Sequence, residues 1–156
     1  VASCLGSYRA RYAEVSERET VVASGIDAVL DELAQQYRLG VATSKPRALA
    51  EPLLHALGLR SFFAVLAGPD LSVQGESKAD TIAAALAMLD NPRRAVMVGD
   101  RSHDIVGAHA HELPSVGVTW GIGSAEELDQ AGASCIVETP ADLPASVRRL
   151  LQEQPA

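Results

Sequence analysis

Residues 95–108 read AVMVGDRSHDIVGA, an apolar run that stops at Gly99 and is followed at once by two aspartates, Asp100 and Asp104, four positions apart. A continuously apolar segment of this length, without polar residues at every second position, is the pattern of a strand buried on both faces. The residues from Ser102 onward have a helical pattern, so both carboxylates fall where a strand ends and a helix begins. In sheets built this way, ligands sit beyond the carboxyl ends of the strands.

The same alternation extends in both directions. Upstream, GIDAVLDELAQQY places Ile26, Val29, Leu30, Leu33 and Tyr37 on one helix face, and LGVAT is a short strand ending at Thr43 and Ser44. A helix after Pro46 carries Leu49, Leu53 and Leu57 and stops at Gly58, and FFAVLAG is the next strand. Ser77 and Asp80 form a capping pair for a helix bearing Ile82, Ala85, Leu86 and Leu89. Downstream come a strand SVGVTW, the turn GIGS, a helix near AEELDQAG, a strand SCIVE and a last helix after Pro140. Alternating strands and helices with apolar strands predict an α/β fold: a parallel sheet with helices on both faces.

At 156 residues the chain is the size of one domain. Its longest strongly apolar stretch, TIAAALAML at 81–89, falls short of the roughly 18 residues a bilayer span requires, and no basic-then-apolar leader opens it. The expectation is a cytoplasmic protein with no membrane partner. The two cysteines, Cys4 and Cys135, lie in apolar contexts without metal-ligand spacing and read as buried thiols. A formal charge of −7 with scattered basic residues argues against nucleic acid as a partner. His109 and His111, two apart in a helix, point in different directions and read as ordinary surface residues.

The strand ends collect a specific chemistry. Thr43 and Ser44 offer hydroxyls, Lys78 an ammonium at a helix start, and Asp100 with Asp104 a carboxylate pair. Hydroxyls and backbone N–H groups hold phosphoryl oxygens, a lysine offsets their charge, and paired carboxylates suit Mg²⁺. Each residue also has a plainer use. Ser44 can help start a helix, Lys78 can be a solvated side chain, and Asp104 can complement a helix dipole. Asp100, directly after VMVG, is the hardest to explain without a site.

Taken together, VATSKP, ESKADTIAAAL, AVMVGDRSHDIVGA and VGVTWGIGS resemble the second to fourth motifs and the following loop of the haloacid dehalogenase superfamily. Within it, they look like the branch of phosphoglycolate phosphatases and 5′-nucleotidase-like enzymes. The resemblance runs from about Ser24 to Leu143. It implies a Rossmann-like core, Mg²⁺ as cofactor, and hydrolysis of a small phosphate ester, such as phosphoglycolate or a nucleotide monophosphate, through an aspartyl-phosphate. By position, Thr43, Lys78 and Asp100 would be catalytic. Thr43, Ser44 and Lys78 would hold the phosphoryl group, and Asp100 with Asp104 would hold the metal. Lys45, Arg101 and His103 neighbour these motifs without an assigned role.

One part of the family pattern is absent from these residues. The Asp-x-Asp-Gly-Thr pentapeptide that supplies the nucleophile and the acid–base aspartate does not occur in the chain. Residues 1–20 resemble the last helix of the small cap that normally separates the first two motifs, which leaves 21–156 as the core. The pattern therefore reads as the C-terminal part of a longer protein, inactive alone. In the resembled fold the absent strand lies at the centre of the sheet, so the strands ending at Thr43 and Gly99 are expected to close on each other or to leave a gap. Such edges invite pairing with the missing segment or with another copy. Two rivals stand beside this: a non-catalytic binding protein or half of a split enzyme, and a nucleotide module using GIGSAE at 121–126, which lacks the third glycine of that fingerprint.

Overall fold

The computed structural model describes residues 20–72 and 75–155. The expected cap remnant at 1–20 lies outside them apart from Thr20, as does Cys4. Six α-helices and five strands alternate through the described chain: α1 (Ile26–Ala34), β1 (Leu39–Ala42), α2 (Arg47–Ala56), β2 (Phe63–Ala67), α3 (Lys78–Met88), β3 (Met97–Gly99), α4 (Ser102–His109), β4 (Ser115–Val118), α5 (Ala125–Gln130), β5 (Cys135–Val137) and α6 (Leu143–Glu153). Short 3₁₀ turns at Arg60–Phe62 and Pro140–Asp142 lead into β2 and α6. The α/β alternation expected from the sequence is what the chain adopts. No described helix is long and apolar enough to cross a membrane.

All strand pairings are parallel, and they form two separate sheets, β1–β2 and β3–β4–β5. The three-stranded sheet is covered on both faces, and β4 shows how. Val116 and Val118 point into a cluster with Val29 and Leu33 of α1 and Leu143, Val147 and Leu150 of α6. Gly117 faces the other way, where a Cβ would come within 3.1 Å of Leu128 on α5. Successive residues of a strand point to opposite faces, so an apolar residue at every position is needed when both faces are buried. Leu128 and, on α4, Ile105 and Ala108 are fully buried on that second face.

The two-stranded sheet is tied to the rest through α3, which packs on β1, β2 and α4. Its start follows the expected capping box: Ser77 Oγ accepts from the Asp80 N–H at 3.1 Å, and Asp80 Oδ2 accepts from the Ser77 N–H at 3.0 Å. These reciprocal bonds satisfy two N–H groups the helix itself leaves open.

Between β1 and β3 lies a largely apolar cleft of about 690 Å³. Its walls are Leu39–Ala42 on one side and Val96–Val98 on the other, with Ile82 and Leu86 of α3, Leu89 just after it, and Ile26 and Leu30 of α1 closing its faces. Among the described residues, β1 and β3 each have one hydrogen-bonded neighbour and no ladder joins them, so of the two alternatives for these strands the gap is what these residues show.

Candidate active site

Of the residues singled out at the strand ends, Lys78, Asp100 and Asp104 meet, and Lys78 reaches the end of β1 next to Thr43. Lys78 is the first residue of α3, and its ammonium sits 3.0 Å from the Ala42 carbonyl oxygen at the end of β1 and 2.9 Å from Asp104 Oδ1 in the first turn of α4. Both partners of this ion pair are buried, their side chains 10% and 6% exposed. A single side chain therefore bridges the carboxyl ends of β1 and β3 across the mouth of the cleft. Gly107 permits it: a Cβ there would lie 2.8 Å from Lys78 Cγ.

Asp104 organises the loop after β3. Its Oδ1 meets Lys78, and its Oδ2 accepts from the Asp100 N–H at 3.2 Å and the Arg101 N–H at 3.1 Å. Glycine is required at position 99 because a Cβ would collide with the Asp104 side chain. The plainer use of Asp104, complementing a helix start, is thus present, and it is combined with a buried cation.

Asp100 is half-buried. Its Oδ2 accepts from the Ile122 N–H at 2.7 Å and its backbone oxygen from the Gly123 N–H at 3.0 Å, while Oδ1 has no hydrogen-bond partner among the described residues. A Cβ at Gly121 or Gly123 would collide with Asp100, so the glycines of GIGS exist to let this turn wrap the aspartate. This close wrapping accounts for the glycine spacing without a nucleotide.

Thr43 follows β1, donating its N–H to the Ala67 carbonyl at 3.0 Å and accepting at Oγ1 from the Lys45 N–H at 3.0 Å. Its hydroxyl hydrogen is thereby left to donate elsewhere. Ser44 is exposed, and the N-terminal cap of α2 is Pro46, so Ser44 does not start that helix. His103 is half exposed, with Nε2 3.7 Å from Asp104 Oδ1.

Arg101 and one residue without an expected role, Glu127, form a clasp. Glu127 Oε1 accepts from the Ser102 N–H at 2.7 Å and from Arg101 Nε at 3.0 Å. The Ser102 N–H first, and then the Arg101 guanidinium, hold the Glu127 carboxyl well below its ordinary range, at about 2. A local signal for Glu127 exists: Ser124 and Glu127 have the spacing of a capping box. Ser124 Oγ does accept from the Glu127 N–H at 3.1 Å, but the carboxylate crosses to α4 instead of returning.

For a divalent cation, Asp100 offers Oδ1, whereas both oxygens of Asp104 are already engaged. No group of three or more histidine, cysteine, aspartate or glutamate side chains able to hold a metal occurs among the described residues. Asp100 Oδ1 fits one position in the oxygen shell of a Mg²⁺ ion, which takes one or two carboxylates and fills the rest with water and phosphate oxygens.

Comparison with known proteins supplies the family of this fold. The chain is 39% identical over 132 residues to the tyrosine-protein kinase PtkA of Mycobacterium tuberculosis, covering 83% of this chain and 45% of that protein. It is 33% identical over 134 residues to the phosphoglycolate phosphatase of Escherichia coli, covering 85% and 53% respectively. A crystal structure of a predicted phosphatase from Clostridium acetobutylicum superposes with a TM-score of 0.86 at 36% identity, over 94% of this chain and 68% of that one. The chain thus spans about half the length of these two curated relatives. The haloacid dehalogenase-like hydrolase family matches residues 4–112, well over half of the chain, and the chain belongs to that family.

Proposed function

We propose that this chain carries the phosphate- and magnesium-holding half of a phosphomonoester hydrolase acting on a small phosphate ester, phosphoglycolate or a nucleotide monophosphate being the leading classes. The observation that carries the reading is the seating of Lys78. An ammonium has three donors; two are held by the Ala42 carbonyl and Asp104, and the third has no partner among the described residues. The amine is therefore oriented and still has one N–H for a phosphoryl oxygen at the strand ends. Thr43, with its hydroxyl hydrogen uncommitted, and the exposed Ser44 would bind further oxygens of the same group. Asp100 through Oδ1, assisted by Asp104, would hold Mg²⁺. When bound, that ion would offset charge on the phosphoryl oxygens.

The Asp-x-Asp-Gly-Thr motif, from which the family resemblance draws the nucleophile for covalent attack on phosphorus, does not occur in this sequence. The cleft between β1 and β3 supports a place for it. Two edges without a strand partner among the described residues, their carboxyl ends bridged by Lys78, call for an extended segment parallel to both, apolar on both faces, with the nucleophilic aspartate following its last residue. We take the partner to be a segment bearing Asp-x-Asp-Gly-Thr, with self-association through the same edges as its competitor.

The test compares the chain alone with the chain joined to such a segment, following Mg²⁺-dependent phosphate release from p-nitrophenyl phosphate. The expected result is no turnover alone, turnover when joined, and loss of that turnover in Asp100→Asn. Turnover by the chain alone that disappears in Asp100→Asn would overturn the need for the segment. Absence of turnover in the joined form would favour a non-catalytic binding role. The similarity to a protein named a tyrosine kinase supports a second reading, transfer of the phosphoryl group to a protein tyrosine instead of water. Radiolabel from the γ-phosphate of ATP appearing on tyrosine, without matching free phosphate, would select it.

A further inference from the structure

We infer that Glu127 is a positioning residue for Asp100, the link that closes a ring of hydrogen bonds around the cation-facing carboxylate. The inference rests on the reading of Asp100 as a metal ligand, but the ring itself is a matter of geometry. Asp100 is held by two N–H groups of the 121–123 turn, those of Ile122 and Gly123. That turn has little to anchor itself: two of its residues are glycines, and the Ile122 side chain is 83% exposed. Its position is inherited from the first turn of α5, which begins two residues after it.

Glu127 fixes that helical turn against the residues just after Asp100. One oxygen, Oε1, accepts from both the Ser102 N–H and Arg101 Nε. Ser102 opens α4, and its N–H is among those the helix leaves without an internal partner. The path runs from Asp100 along the backbone to Ser102, across to Glu127, back along the start of α5 to Ser124, and from Gly123 to Asp100 again. Ser124 Oγ, accepting from the Glu127 N–H, fixes the Glu127 backbone within the ring. Without the carboxylate, the start of α5 loses its side-chain tie to Arg101 and Ser102, and the turn is left held to the loop after β3 by Asp100 alone. A group that orients a metal ligand from behind typically contributes about 10- to 100-fold in metal affinity.

The experiment uses the full chain with Glu127→Ala, Glu127→Gln and, as control, Glu126→Ala, whose carboxylate reaches only Gln130. Amide hydrogen exchange is read at Ile122 and Gly123, which bond to Asp100 and not to Glu127, and at Val116 in the core. Mg²⁺ affinity is read through the fluorescence of Trp120, the single tryptophan, next to the turn. In Glu127→Ala, exchange at Ile122 and Gly123 should rise about 10-fold relative to Val116, and the Mg²⁺ dissociation constant about 10-fold or more. Glu127→Gln, which keeps an acceptor, should lie between, and Glu126→Ala should match the parent. Unchanged exchange at Ile122 and Gly123, or an equal rise at Val116, would overturn the inference, the latter making Glu127 a general stabiliser. If the parent chain takes up no Mg²⁺, the metal reading of Asp100 fails, while the exchange ratios still decide whether Glu127 positions it.

Discussion

Two strands, β1 of the two-stranded sheet and β4 of the three-stranded one, are written in the same kind of sequence and buried to very different extents. β4 is buried at all four of its residues, whereas none of the four residues of β1 is fully buried. LGVA and SVGV are equally short and nearly equally apolar. What differs is their surroundings: β4 has a strand on either side and helices over both faces, while β1 has one strand neighbour and a cleft. An apolar strand sequence thus states a requirement for burial on two faces, and only the fold decides whether the requirement is met. The half that meets it holds the core, and the other half is attached through α3 and the side chain of its first residue.

That attachment supplies the largest expected effect. Lys78→Met removes the cation from a buried pair and leaves Asp104 charged among backbone N–H groups, at a cost of about 3–5 kcal/mol. Urea denaturation measures it, and Asp104→Asn added to Lys78→Met should recover part of the loss, since the uncompensated charge is then gone. A cost below about 1 kcal/mol, the range of an exposed pair, would break the picture of a two-stranded half held by this bridge.

A direct contrast between the halves comes next. Leu128→Ala, at a fully buried position over β4, should cost about 2–5 kcal/mol as lost transfer energy plus a cavity. Val41→Ala in β1 removes a half-buried side chain beside existing space and should cost about 1 kcal/mol, little beyond the transfer of its lost methyl groups. Equal costs in matched denaturation curves would mean that β1 is packed as tightly as β4, against the difference in burial.

Much of this was legible in the sequence, for identifiable reasons. The apolar pattern located each α-helix and strand of the described residues, because each buries a defined face. It overextended the strands: the apolar run Ala95–Gly99 contributes only Met97–Gly99 to the sheet, and Phe62 turns in a 3₁₀ helix before β2 begins. Thr43, Lys78, Asp100 and Asp104 could be found because the ends of parallel strands are where such sheets place chemistry. Lys78 and Asp104 do meet, and Asp100 hangs from the Asp104 carboxylate by its N–H. Glu127 was not legible, since its partner lies 25 residues away while the nearby Ser124 offered it a local use. Gly121 and Gly123 could be seen but not interpreted: a glycine does not declare what stands against it until the opposing loop is placed.

The smallest effect distinguishes loop from core by acid. Glu127 ties two loops of the three-stranded half, and its carboxyl is held at about 2 in the folded chain against an ordinary value of 4.5. A depressed folded value means that the unfolded chain takes up the proton first as pH falls. The contribution of Glu127 to stability is therefore complete above about pH 4.5 and fades as pH falls toward about 2. Because the group is partly exposed and salt screens it, the effect is small. The measurement is the difference in Tm between the parent chain and Glu127→Gln: positive and constant at neutral pH, narrowing through the acid window, and smaller at high salt. Hydrogen exchange across that window should loosen the Ile122 and Gly123 amides, which hang from the turn that Glu127 ties, before the amides of β4 in the core. A Tm difference that stays constant down to pH 2 would mean that shape, and not the charge drawn in by Arg101 and Ser102, is what Glu127 contributes.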